Sequence, residues 1–142
     1  MAERYVEVTQ EAGAALFARG IEGEIVMLNL LRFRDKADYS AAPELAPAEG
    51  EISGREAYRR YIEHTLPYLR KSGGEVIFMG EGGRFVIGPA DESWDQVLLV
   101  RHKSLKQFMA FASDEGYLSG AGHRTAALAD SRLLPIEEAD QS

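Results

Sequence analysis

The chain of 142 residues has no cysteine. This one absence removes disulfides, thiolate metal sites, iron–sulfur clusters and cysteine nucleophiles together. His64, His102 and His123 remain as soft ligands, but no H-x-H, H-x-x-x-H or H-E-x-x-H spacing occurs, so no metal is expected. There is no Walker A motif, no Rossmann glycine fingerprint and no G-x-S-x-G elbow, which leaves nucleotide binding and serine hydrolase chemistry without support. No cofactor is expected. Basic residues are in deficit as well: 16 Lys and Arg against 23 Asp and Glu give a net charge of −7, which repels a phosphate backbone. A nucleic-acid partner is not expected. No apolar run is long enough to cross a bilayer, and MAERYVEVTQ has neither a basic n-region nor an apolar h-region. These absences read as a soluble, cytoplasmic protein with no membrane partner.

What is present is enough for one domain with a hydrophobic core, since 45% of the residues are apolar. Thr9 as a cap and Gly20 as a stop predict a helix over 9–20, part of an N-terminal helical extension, 1–22. EIVMLNLLRF (24–33) is apolar almost without alternation and predicts a strand covered on both faces. The stretch 34–52 has two prolines and no period, and reads as a long loop able to serve as a lid. Ser53 and Glu56 form a capping box opening a helix over 54–72, with Tyr58, Tyr61, Ile62, Thr65 and Leu69 on its stripe and a kink or tightened turn at Pro67. GEVIFMGEG (74–82) and RFVIG (84–88) read as strands joined at a Gly82–Gly83 turn, followed by a third strand at 94–102. A second box, Ser104 to Gln107, starts a helix whose stripe is Leu105, Phe108, Met109 and Ala112. A short helix near 121–129 then leads into a last strand, SRLLPI, and a loose tail, 137–142. With the first helix set aside and the 84–88 segment treated as an extension, the core, 24–136, is βαββαβ, the order of a ferredoxin-like α+β sandwich with an antiparallel sheet.

The strands carry a further implication. In a lone sandwich of this kind one sheet face is wet and its strands alternate. Here Ile25, Met27 and Leu31 point one way and Val26, Leu28 and Leu30 the other, and Val97–Val100 repeat the pattern. Each such side chain left in water forfeits about 1.5–3 kcal/mol, so a second cover is expected. An identical subunit packed sheet to sheet is the simplest one, giving a homodimer; the alternative is that the first helix or the 34–52 loop covers that face.

Three stretches, YIEHTLPYLRKSGGEVIFMGEG (61–82), WDQVLLVRHKSLKQFMAFASDEGYL (94–118) and HRTAALADSRLLP (123–135), carry a likeness over about 24–136. With Gly73, Gly74, Tyr117, Arg124 and Ser131 in that order, the chain resembles the dimeric α+β barrel superfamily and, within it, the domain-of-unknown-function family thirteen-thirty. It departs in its first helix, its 34–52 loop and an extra 83–93 segment. The resemblance implies a fold and a dimer more than a reaction. Neighbouring families include cofactor-free monooxygenases, isomerases, haem-degrading enzymes and small-molecule binders, and fold does not choose among them.

Candidate site residues follow from side-chain chemistry. Arg124 lies three and four residues before Ala127 and Leu128 and so points inward, where it pairs with a ligand carboxylate or internally with Glu81 or Asp95. His123, turned away by about 100°, is expected in solvent. Asn29 interrupts an apolar strand and needs hydrogen-bond partners, structural or in a cavity; Arg32 and Arg101 on comparable strands are cavity groups or rim charge. Tyr61 is a cavity candidate, and His64, three residues on, an acid or base or else a partly exposed helix histidine. Tyr117 and Ser131 complete the polar set. Trp94 is a cavity wall or a packing anchor. The function expected is a small-molecule-binding homodimer, with His64 or Tyr61 moving a proton if a cofactor-independent oxygenase, isomerase or lyase acts on a small carboxylate or phenol. The alternative is a non-catalytic metabolite-binding or sensing module.

Overall fold

The computed structural model describes residues 3–139. Residues 140–142, the end of the expected tail, lie outside the described residues, as do the first two. Helix α1 (Gln10–Ala18) starts where the Thr9 side chain accepts the Ala12 N–H. Strand β1 (Ile25–Phe33) is followed by a 3-10 turn at Pro43–Leu45 and helix α2 (Gly54–Lys71). Strands β2 (Glu75–Arg84) and β3 (Ser93–His102) come next. Three short helices, α3 (Leu105–Ala112), α4 (Glu115–Leu118) and α5 (Gly122–Ala127), lead into β4 (Leu128–Ile136). No helix among the described residues is long and apolar enough to cross a membrane.

Both capping serines act at the positions their spacing indicates: Ser53 Oγ accepts the Glu56 N–H and Ser104 Oγ the Gln107 N–H, each at 3.0 Å. Helix α2 then continues through Pro67 to Lys71. Its start is pressed into the fold by Gly54, whose N–H donates to the Arg34 carbonyl at 3.0 Å. A Cβ at Gly54 would collide with the carbonyl oxygens of both Arg34 and Ala127, so only glycine permits this approach.

The four strands form one antiparallel sheet in the order β2-β3-β1-β4. With the βαββαβ order this is a ferredoxin-like α+β sandwich, and its sheet is open rather than a closed barrel. Register separates the two faces. Ile25, Met27, Asn29 and Leu31 are buried beneath the helices and lie opposite His102, Val100, Leu98 and Gln96 of β3. Leu31 packs with Ala57, Tyr58, Tyr61, Ala127 and Leu128. Ile25 and Met27 pack with Ile21 and the α1 residue Leu16.

On the opposite face, Val26, Leu28 and Leu30 of β1 are half-buried, with Leu99 and Val97 across from Leu28 and Leu30. Leu134, paired with Leu28 from the other side, is 54% exposed, and Phe78, paired with Leu99, is 55% exposed. Neither internal cover reaches this surface: α1 sends Leu16 into the helix-side cluster, and the 34–52 loop sets Ala42 and Leu45 close over Gly122 of α5. The apolar second face stays open in the single chain.

Three boundaries differ from expectation. The segment 84–88 is not a strand paired across a Gly82–Gly83 turn; β2 runs on to Arg84 and the hairpin turns through 85–92. Gly82 serves cross-strand proximity, since a Cβ there would strike the Trp94 carbonyl. The α3 stripe buries Phe111 and leaves Met109 39% exposed. The last helix ends at Ala127, and β4 begins three residues before SRLLPI.

His102, at the end of β3, is 2% exposed with its Nδ1 unpartnered, and lies between Phe108 and Phe111 at ring-centroid distances of 5.0 and 5.6 Å. Burial pushes its pKa down from 6.5 to about 4. A depressed imidazole keeps its full favourable contribution above 6.5 and loses it as pH falls towards 4, because the unfolded chain takes up the proton first. At about 1.36 kcal/mol per pKa unit, the loss reaches about 2 kcal/mol by pH 5. Urea unfolding of His102→Phe between pH 7 and 5 should therefore show a shallower loss of stability than the parent; identical slopes would remove His102 as the cause.

Candidate functional site

The expected site residues divide into one cluster and several separated groups. Tyr61, buried on α2, and Tyr117, on α4, share a hydroxyl–hydroxyl bond of 2.8 Å. Tyr58 lies 5.2 Å from Tyr61 between ring centroids. Burial raises the Tyr61 hydroxyl well above its ordinary range, reinforced by Tyr117 and Tyr58, while the Arg124 charge pulls the other way. Tyr58 is likewise raised by burial and lowered in part by Arg124. Both phenols are thus neutral donors, with a guanidinium near enough to be felt.

Arg124 owes its position to α5, whose last residue, Ala127, is fully buried together with Leu128 at the start of β4. It pairs with neither Glu81 nor Asp95. Glu81 accepts from Arg55 and Gln96, and Asp95 from the Phe33 N–H. One guanidinium nitrogen of Arg124 donates to the Val6 carbonyl at 2.7 Å and the other reaches Ser131 Oγ at 3.4 Å. Among the described residues, no carboxylate forms a salt bridge with it. Ser131 Oγ donates to the Tyr5 carbonyl at 2.5 Å, and Asp130 accepts the Tyr5 N–H at 2.8 Å. Arg4 donates to the carbonyls of Thr125 and Leu128. Residues 4–6 are therefore an irregular strap pinned across Arg124 and Ser131. Sequence reasoning missed this strap, as well as Tyr39; the apolar Tyr5 and Val6 could have marked 4–6 as a packed segment, but not where it docks.

The other candidates lie apart. His64 shares an Nε2 contact of 2.7 Å with the Gly116 carbonyl, its ring against Gly120, where a Cβ would overlap it. It borders a surface groove of about 400 Å³ with Arg59, Arg60 and Glu63. His123 is not in free solvent: it is half-buried, and the Tyr39 hydroxyl of the 34–52 loop meets its Nδ1 at 2.7 Å. Burial lowers the His123 pKa, helped by the charges of His64 and Arg60. Asn29 Nδ2 donates to the Met27 and Leu98 carbonyls at 3.3 Å, linking β1 to β3.

Trp94, 2% exposed, donates its indole N–H to Glu92 at 2.9 Å and lies under the guanidinium groups of Arg32 at 4.7 Å and Arg132 at 5.0 Å. Arg101 pairs with Glu75 across the strands and with Glu24 at 3.7 Å. Among the described residues no group of three His, Asp or Glu side chains is placed to hold a metal ion.

An open antiparallel sheet in this order, helices on one face, places the protein in the ferredoxin-like class. Residues 45–138 match the family described as "Domain of unknown function (DUF1330)", and the chain belongs to that family. Two crystal structures of the RPA0582 protein from Rhodopseudomonas palustris, described as of unknown function, are similar. The methylated form is 33% identical over 97% of both chains with a TM-score of 0.85. The other is 33% identical over 97% of this chain and 99% of that one, with a TM-score of 0.84. A dimeric protein of unknown function and ferredoxin-like fold from Bacteroides fragilis aligns at 14% identity over 81% of this chain and 96% of its own, with a TM-score of 0.48. No curated protein matches the chain in sequence.

The hydroxyl pair makes an energetic prediction. Tyr61→Phe and Tyr117→Phe each orphan one hydroxyl and should each cost about 1–2 kcal/mol. The double variant should lose less than the two combined, as a double-mutant cycle in urea would report. Strict additivity would mean that the two hydroxyls do not act as a pair.

Proposed function

We propose that this protein is a homodimer that binds a small carboxylate or phenol at Arg124, beneath the 4–6 strap. The observation carrying this reading is a half-buried guanidinium with no carboxylate counter-ion among the described residues, beside the hydrogen-bonded Tyr61–Tyr117 pair. A guanidinium has five donors in a fixed fork and favours a bidentate carboxylate. In the free protein the Val6 carbonyl oxygen occupies one position that a ligand oxygen would take. The strap has no regular secondary structure and is held here by side-chain bonds, so it yields to a better acceptor. Ser131 and Tyr117 would then orient the ligand.

Binding fits these groups better than turnover. A cofactor-independent oxygenase, isomerase or lyase needs a proton acceptor at the ligand, and the described groups supply donors instead. Tyr61 is held protonated by burial, and no hydrogen bond links His64 to Arg124 or the tyrosine pair. The Asp130 carboxylate is spent on Tyr5, Ser131 and Arg132. Burial alone would raise its pKa, yet those bonds hold it below the usual range.

The dimer rests on the open sheet face, which neither α1 nor the 34–52 loop covers. Each large aliphatic group moved fully out of water contributes about 1.5–3 kcal/mol, so pairing two such faces is favourable. Leu28 stands at the centre, between Leu99 and Leu134.

Isothermal titration with benzoate and 4-hydroxybenzoate should detect binding to the parent and affinity reduced on the order of 10–100-fold in Arg124→Ala. Equal affinity in the two proteins, or no heat from either ligand, would sink the Arg124 site. Sedimentation equilibrium at micromolar concentration should give dimers for the parent and folded monomers for Leu28→Asp; a monomeric parent would remove the sheet-face reading.

A further inference from the structure

The β2–β3 hairpin ends in a feature that the fold does not use. In the loop Phe85-Val86-Ile87-Gly88, Val86 is 101% and Ile87 93% exposed, and Phe85 is 41% exposed. The loop is built rather than slack. The Phe85 ring lies against Gly88 so closely that a Cβ there would overlap it. The Glu92 N–H donates to the Pro89 carbonyl at 3.3 Å, and the Glu92 carboxylate holds the indole of buried Trp94. Two aliphatic side chains are thus presented to water on a braced support.

Resting on the sheet-face dimer above, we propose that residues 85–88 form a docking arm that packs Val86 and Ile87 against a second copy of this chain. Three observations favour this occupant. The arm projects from β2 and β3, the strands that carry Phe78, Val97 and Leu99 on the open face, and stands beyond the charged border that Arg32 and Arg132 form over Trp94. The single chain exposes 9112 Å². A compact monomer of this mass exposes about 7,300 Å², and the surplus exceeds the roughly 800 Å² per partner that a standard interface buries. Residues 85–90 carry no charge within a chain of net charge −7, so contact between copies there avoids the like-charge repulsion that most of the surface would impose. The same net charge, with no Lys or Arg in 85–90, disfavours an anionic bilayer as the occupant.

The absence of cysteine makes the test specific, because Ile87→Cys introduces the only thiol. Cys-directed benzophenone at that position, irradiated at micromolar protein, should join two subunits. Val86→Ser/Ile87→Ser should raise the dimer dissociation constant on the order of 100-fold in sedimentation, with an unchanged circular dichroism spectrum. A dimeric parent whose double-serine variant associates equally well, with no inter-subunit cross-link, overturns the arm and leaves the sheet-face dimer standing. A monomeric parent overturns both. If Leu28→Asp remains dimeric while the serine variant dissociates, the arm stands and the sheet-face reading falls. Cross-linking to phosphatidylcholine–phosphatidylserine vesicles in place of a second subunit overturns the arm as a contact between copies.

Discussion

Strand β1 is apolar on both sides and occupies the inside of the sheet, between β3 and β4. That constraint organises the rest of the molecule. Its inner row, Ile25, Met27 and Leu31, draws α1 and α2 onto one face and fixes the two core clusters. Its outer row, Val26, Leu28 and Leu30, has no helix to meet, because both crossover segments run over the same side, as the ferredoxin-like order requires. A chain of this length can form one helix layer over a four-stranded sheet, and here the second apolar face is left without one. The open face is a consequence of topology, and it is the surface assigned to the proposed twofold dimer.

Arg124 illustrates how an inward charge is tolerated. A buried ion without a partner is costly, and here the backbone carbonyl of Val6 supplies the acceptor. Ser131 is bound into the same arrangement through Tyr5. The strap therefore serves the charge as much as the charge serves the strap. A carbonyl neutralises a guanidinium less fully than a carboxylate does, which is the reason the ligand proposed for this point is an anion.

Local signals in the sequence were legible where the physics is local. The boxes at Ser53 and Ser104 each engage a backbone N–H within one turn, and the α2 stripe buries Tyr58, Tyr61, Thr65 and Leu69. Signals failed where one residue type serves two causes. Gly82–Gly83 has the look of a turn, yet Gly82 is required by the close approach of the Trp94 carbonyl across the ladder. Met109 and Phe111 compete for the inner side of α3, and helical spacing alone did not select the aromatic that packs beside His102 and Tyr117. The candidate site was legible only as residue types. Tyr61 and Tyr117 meet, while Asn29, Trp94 and Arg101 are held elsewhere by partners distant in sequence. His123 is claimed by Tyr39 across 84 positions of chain, a pairing that no local pattern encodes.

Those displaced candidates describe the open face. At one end of it Arg32 and Arg132 stack on Trp94, bridge Asp130 at 3.8 and 2.8 Å, and Arg132 also covers Tyr5 at 4.7 Å. At the other end Arg101 joins Glu75 and Glu24. Between these two charged borders lie Val26, Leu28, Leu30, Val97, Leu99, Phe78 and Leu134, with no charge among them. An apolar centre with a charged border resembles the apolar core and polar rim of association surfaces, and this supports the proposed sheet-face dimer. Within the single chain the indole of Trp94 and the guanidinium of Arg101 are committed to these borders, which is why the proposed ligand is assigned to the helix side, at Arg124 and the tyrosine pair.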